Sequence, residues 1–258
     1  MNVFKELYHY RELLKANVKK EIRGKYKGSF LGVLWSFVNP LLQVLVFVIV
    51  FPYIMRIKME NYVIFLICGI IPWTWFITSI TQATSCISIN ANLIKKVYFP
   101  RSILPISVVT SGMINFIISC IIIIIAVIVS GLGLSWHLIF LPIIIIIQYV
   151  VCLALAFLLS AINVFIKDIE YLVAFALNMM FYATPILYSI DLFNNGWMVW
   201  LFRLNPMAHL INAYRDIFYV HHIPNLVNLA VVFAISLVLL FICYKIFDKL
   251  QKQFAEEI

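Results

Sequence analysis

The sequence predicts an all-α integral membrane protein, with six transmembrane helices, an N-terminal amphipathic interface helix and a short re-entrant helical hairpin before the last span. Three observations carry this prediction. Hydrophobic residues make up 64% of the chain and charged residues 12%, whereas a soluble domain is about half apolar and about a quarter charged. No soluble fold hides that much apolar surface, so the solvent must be lipid. Several apolar runs approach the ~20 residues that cross a bilayer as a helix. These runs do not alternate. Cys120–Val129 reads CIIIIIAVIV without a break, which excludes a barrel whose strands point alternately outward and inward.

The elements follow in order within a single domain, 1–258. Residues 1–28 are charged throughout and contain no apolar core of the signal-peptide kind. Read as a helix, they put Phe4, Leu7, Leu14, Val18 and Ile22 on one face and Lys5, Glu12, Lys19 and Arg23 on the other. Arg11 and Leu13 interrupt the pattern. This is the signature of a helix lying along a membrane surface. Spans one to five are expected at 31–55, 61–86, 103–130, 138–165 and 169–189, and span six at 226–247. Residues 248–258 form a polar tail. The stretch 190–222 is too apolar for a free loop and too broken for a span. Asn195-Gly196 and Asn205-Pro206 punctuate it as turns. Trp197 and Trp200 suit an interfacial belt. We expect two short helices dipping into the outer leaflet as a gate, with Trp197, Trp200, Asn205, Pro206 and Arg215 as its marked residues.

Charge sets the orientation, because loops on the cytoplasmic side carry the excess of Lys and Arg. With both termini inside, fifteen basic residues are cytoplasmic and only Arg56, Lys58, Arg203 and Arg215 are outside. The net charge of +8 therefore belongs beside anionic headgroups, each cation there being worth about 1 kcal/mol. It is not a sign of nucleic-acid binding.

The residue types exclude several chemistries. The five cysteines lie in or at the ends of apolar runs without metal-type spacing, and they read as small packing residues. His221 and His222 are adjacent, a poor geometry for a metal pair, and no metal site is expected. All eleven acids fall in termini, loops or span edges. An ion-coupled carrier normally keeps a carboxylate inside the membrane. Asp168 and Glu170 are the closest acidic pair, and helix-start acids explain them. No G-x-x-x-x-G-K-[ST] phosphate loop is present, since RGKYKGS at 23–29 has those residue types in another order. A pump built on this chain would draw on a separate soluble motor. The stretch NLIKKVYFPRSILP at 92–105, between spans two and three, is where such a motor would press. A short helix is expected over Ser88–Val97, closed by Pro100, with Ser88, Asn90, Asn92, Lys95, Lys96, Tyr98 and Arg101 forming the contact. An ordinary charge-anchoring loop has the same composition.

Span two carries Thr74, Thr78, Thr81, Ser85 and Ser88, spaced four, three, four and three, so the hydroxyls share one helix face with Trp75 and Gln82 at its border. One reading is a polar lining for a sugar chain, with Trp73, Trp75 and Phe76 offering flat faces to sugar rings. The other is helix packing, which small hydroxyl residues also favour in lipid. Asn178 and Tyr182, one turn apart on span five, are a second candidate wall.

The stretch RGKYKGSFLGVLWSFVNPLLQ at 23–43 resembles the start of polysaccharide-exporting ABC transporter permeases, through Tyr26, Ser29, Leu31, Gly32, Trp35 and Pro40. Phe99-Pro100-Arg101 with Pro105, TPILYS at 184–189 and NPMAHLINAYRDIFY at 205–219 are also similar to the family, in the same order. The resemblance implies a homodimer with a separate cytoplasmic ATP-binding subunit, ATP and Mg bound in that subunit, and export of a lipid-linked polysaccharide such as O-antigen, capsule, teichoic acid or rhamnan. It implies a bacterial cytoplasmic membrane location with both termini inside. Lys19, Arg23, Lys25 and Lys27 are expected to meet the lipid phosphate at the inner entrance. Lys25 and Lys27 stand where arginine is common in the family, keeping the charge and losing the planar fork. A drug or lipid permease of the same broad class, or a non-transporting scaffold, are the alternative readings.

Overall fold

A computed structural model describes residues 8–24, 34–55, 59–189 and 196–257. Every element among them is helical. In chain order they are α1 (Arg11–Gly24), α2 (Trp35–Met55), α3 (Tyr62–Ile89), α4 (Ala91–Lys96), α5 (Ile103–Val129), a 3₁₀ turn (Trp136–Phe140) leading into α6 (Leu141–Phe165), α7 (Ile169–Ala183), α8 (Trp197–Leu204), α9 (Pro206–Arg215), a wide turn (Asp216–Val220), α10 (Leu226–Leu250) and α11 (Phe254–Glu257). Among the described residues, four segments are long and apolar enough to cross a membrane: α3, α5, the 3₁₀ turn with α6, and α10. Val38–Val50 and Ile169–Ala183 are shorter apolar helices.

The seventh helix differs from its expected length. Span five was expected over 169–189, yet α7 stops at Ala183 after 15 residues, about 22 Å at 1.5 Å per residue against a hydrocarbon core of about 30 Å. The reason is Pro185. A proline disfavours the helical conformation in the residue before it, and Thr184 is extended at φ −104°, ψ 139°. The expected helix over Ser88–Val97 is also shorter. Ser88 belongs to the last turn of α3, α4 begins at Ala91, and Val97 is extended.

The core is built on α3, which packs against α2, α5, α6 and α9; α6 packs in turn against α10, and α1 lies against α5. Most of the apolar window of α3 is buried within the protein, while only a minority of those of α5 and α10 is. Ile121, Ile125 and Ile128 on α5 and Val231, Ile235 and Val238 on α10 thus present apolar faces suited to lipid tails.

Buried polar groups tie the layers together. Pro72 interrupts the donor ladder of α3. Its carbonyl accepts from Gln148 Nε2 of α6 at 2.9 Å, and Tyr214 Oη of α9 donates to Gln148 Oε1 at 3.0 Å. Gln148 is 0% exposed, so its carboxamide is satisfied at both ends, as a buried polar group requires.

Gly112 of α5 sets the closest approach to α3. A Cβ there would lie 2.5 Å from Ser79 Oγ and 3.0 Å from Trp75 Cδ1, and the Trp75 ring is already stacked on Phe116 at 4.8 Å. Gly112→Val is expected to cost about 1–3 kcal/mol by overpacking, read as a lower melting temperature of the purified protein in detergent. An unchanged melt would mean that the two helices separate without cost.

Candidate functional site

The end of the molecule bearing the basic loops is built from α1, α3, α4 and α10. Asn90 joins α3 to α4. Its Nδ2 donates to the Cys86 carbonyl at 2.8 Å and its Oδ1 accepts from Lys20 Nζ of α1 at 2.8 Å. The N-terminal helix is therefore fastened to the turn that carries α4. On α1, Leu14, Val18 and Ile22 are half-buried, Lys19 is exposed and Asn17 is buried. Lys15 donates to Glu12 at 3.0 Å, and that hydrogen bond with its charge holds the Glu12 carboxyl below the usual carboxylate range.

Lys95 and Lys96 end α4 and are exposed, as is Asn92; Tyr98 is 92% exposed. Arg101 is half-buried, its guanidinium 5.9 Å from the Phe254 ring centre. Phe254 is fully buried against Phe247 and Phe165, so the tail is packed beneath the loop. A cleft of about 930 Å³ opens between the loop 94–102, His9 and Tyr10, and the end of α10. Lys95, Lys96, Arg101 and Lys252 line it with Asp248 as the acid, which makes the cleft electropositive.

A second, smaller groove of about 190 Å³ lies between α2, α3 and α5. Thr74, Thr78, Gln82 and Trp75 line it from α3, Trp35, Asn39 and Pro40 from α2, and Asn115 and Ser119 from α5. The threonine hydroxyls bond their own helix: Thr74 to Ile70 O at 2.8 Å and Thr78 to Thr74 O at 2.7 Å. Thr81 is exposed, and Ser85 and Ser88 are half-buried, beyond the groove. Trp73 is buried on another side of α3, against Phe76 and Phe181. Asn178 and Tyr182 are exposed on α7. Sequence reasoning did not mark Asn39, Asn115, Ser119 or Lys20. Ser111, Asn115 and Ser119 are spaced by four in span three, a polar stripe as regular as the one on span two. If the groove is the polar sugar lining that the sequence suggests, Thr78→Phe, which fills it, is expected to lower the surface glycan of cells relying on the variant at least tenfold with little change in melting temperature; unaltered glycan would leave the packing reading.

At the opposite end, α8 and α9 meet at Asn205. Its Oδ1 accepts from Met207 N at 3.0 Å, and Pro206 takes the first helical position, a strong helix-start pair. Its Nδ2 donates to Thr184 Oγ1 at 2.8 Å, binding this helix pair to the end of α7. Trp200 is exposed, with Arg203 5.7 Å from its ring centre. Trp197 begins α8. Arg215 is 4% exposed. It donates from Nη1 to Pro185 O at 2.6 Å, from Nη2 to Ile186 O at 2.7 Å and from Nε to Phe65 O at 3.4 Å. Its guanidinium also lies 3.4 Å from the Phe65 ring centre. The TPILYS segment is thus an irregular stretch held by arginine donors, with Tyr62 Oη bonding Leu187 O at 2.8 Å. Burial pushes the neighbouring Asp216 carboxyl up to about 6, against the pull of His222 and Arg215.

Several expected positions fall outside the described residues or their side chains. Phe4, Lys5, Leu7, Lys25, Tyr26, Lys27, Ser29, Leu31 and Gly32 lie outside, and the side chains of Arg23 and Trp197 are not described. No group of three His, Cys, Asp or Glu residues suited to a metal occurs among the described residues.

The ABC-2 type transporter family matches residues 12–219. The chain belongs to the ABC-2 transporter membrane family. The family match spans every element from α1 through the turn after α9, so the loop at 94–102, the groove and the Arg215 cluster are all parts of an ABC-2 membrane subunit. The chain is similar to the O-antigen export system permease protein RfbA of Myxococcus xanthus, 38% identical over 259 residues and 100% of both chains. Two RfbA proteins of Klebsiella pneumoniae are 34% and 35% identical over 247 residues, each covering 95% of this chain and 94% of the relative. With its apolar helices, this ABC-2 subunit is a multi-pass membrane protein and a transport permease.

Proposed function

We propose that this chain is the permease of a polysaccharide exporter in the bacterial cytoplasmic membrane, with both termini in the cytoplasm. Two copies form the pathway, each carrying one cytoplasmic ATP-binding subunit that holds ATP and Mg. The cargo is a lipid-linked polysaccharide of the O-antigen kind. The observation that carries this reading is the end-to-end similarity to an O-antigen export permease.

The geometry supports a sequence of steps. A lipid-linked glycan arrives at the inner surface near α1, where Lys19, Arg23, Lys25 and Lys27 meet its phosphate. ATP binding moves the partner subunits against α4, and the Lys20–Asn90 bond passes that displacement to α1. The helices then switch between two arrangements that nucleotide biases through its unequal affinity for them. The polymer passes along the polar faces of α2, α3 and α5 between the two copies, and leaves past α8 and α9. Membrane lipid surrounds the exposed Ile-rich faces, and nucleic acid has no part.

Deleting the gene tests the reading. Surface polysaccharide is expected to vanish while its lipid-linked form accumulates inside the cell. Normal surface polysaccharide would defeat the proposal.

A further inference from the structure

The end opposite the basic loops contains a cavity of about 510 Å³ between the start of α3, the end of α9 and the start of α10. That volume lies within the ~300–1,000 Å³ of small-molecule sites. Its lining combines Asn212 and Asp216 with Asn225, Asn228, Tyr219 and His209. His209, Asn212 and Asp216 are spaced three and four, so they share one face of α9 and the turn that continues it. Asn225 lines the cavity and caps α10, its Oδ1 accepting from Asn228 N at 3.0 Å, so its Nδ2 is the group left to donate.

The chemistry selects the ligand. A carboxamide presents a donor and an acceptor side by side, the pattern that matches neighbouring hydroxyls of a sugar. Tyr219, half-buried in the lining and held edge to face against the buried Phe65 at 5.9 Å, adds ring surface for the apolar face of a pyranose. A phosphate is disfavoured, because Arg215 directs donors from all three of its nitrogens to protein carbonyls and Asp216 adds an acid. A lipid tail is disfavoured by the density of polar side chains.

We propose that this cavity binds one or two uncharged sugar residues at the outer face of the protein, through Asn212, Asn225, Asn228 and Asp216. The proposal rests on the polysaccharide-export reading for the source of the sugar. The same chemistry would take a residue of the chain in transit or a glycolipid headgroup.

The test uses full-length protein in lipid nanodiscs. The probe is the water-soluble oligosaccharide released by mild acid from the surface polysaccharide of the cell that makes this chain, followed by saturation-transfer NMR. Asn212→Ala with Asn228→Ala is expected to weaken binding at least tenfold. Asn228→Trp, a substitution at an exposed position, is expected to block the cavity and do the same, and it serves alone if the double variant does not fold. Inorganic pyrophosphate is expected not to compete. Weakened binding with slowed export assigns the sugar to the chain in transit; weakened binding with normal export assigns it to a headgroup. Unchanged binding in a folded variant, or displacement by pyrophosphate, would overturn the site. If deleting the gene left surface polysaccharide intact, the export reading would fail whatever the binding data. If deletion removed it and the variants bound normally, only this site would fail.

Discussion

Arg215→Met is expected to destabilise the folded protein by about 3 kcal/mol, since each buried acceptor left without a donor costs about 1–3 kcal/mol. The carbonyls of Pro185 and Ile186 accept from the guanidinium at 2.6 and 2.7 Å, in a stretch that has left helical geometry. The contact of the guanidinium with Phe65 at 3.4 Å adds about 2 kcal/mol for a desolvated pair. Against these losses, methionine removes the cost of burying a charge, which is why the net effect falls below the sum. Arg215→Lys should recover only part of the loss, because one ammonium cannot reproduce a planar fork reaching three carbonyls. Thermal unfolding in detergent, followed by tryptophan fluorescence, reads the effect. A change below about 0.5 kcal/mol, the range of ordinary surface substitutions, would mean that the irregular segment holds its shape without the arginine.

Reversing both charges at the end of α4, Lys95→Glu with Lys96→Glu, is expected to weaken binding of the ATP-binding subunit at least 100-fold, about 2.8 kcal/mol at 1.4 kcal/mol per factor of ten. Both side chains are exposed at the rim of the electropositive cleft. Charge complementarity governs the speed and choice of such encounters, and like charges brought together cost several kcal/mol. The fold should be untouched, so the melting temperature serves as the control. Titration of the purified subunit against permease in nanodiscs checks it. Equal affinity for the parent and the double variant would remove α4 from the docking surface.

How much was legible depended on how local the cause was. The apolar runs marked α3, α5, α6 and α10 to within a few residues, because length and hydropathy are properties of the run itself. Pro185 was visible too, and its effect on Thr184 shortens α7 by a purely local rule. The polar lining of the groove was half legible. The stripe on span two stands out by its spacing, and Asn115 and Ser119 on span three, equally periodic, sit in a run so rich in isoleucine that hydropathy hides them. The long-range contacts were not readable. Lys20 meets Asn90 across 70 residues, and Arg215 reaches carbonyls 29, 30 and 150 positions away. Nothing in the neighbouring residues distinguishes a buried arginine bonded to three carbonyls from one at a membrane surface. The orientation of Trp73 was hidden for a related reason: on a helix buried nearly all round, as α3 is, hydropathy no longer tells one face from another.

The central claim is that this permease draws its driving force from a separate nucleotide-hydrolysing subunit. Reconstitution tests it most directly. Purified permease is placed in lipid vesicles with the lipid-linked polysaccharide, with and without the ATP-binding subunit, and glycan reaching the far side is measured on adding MgATP. The account predicts movement only when subunit and MgATP are both present. Equal movement by the permease alone, with no nucleotide, would contradict it.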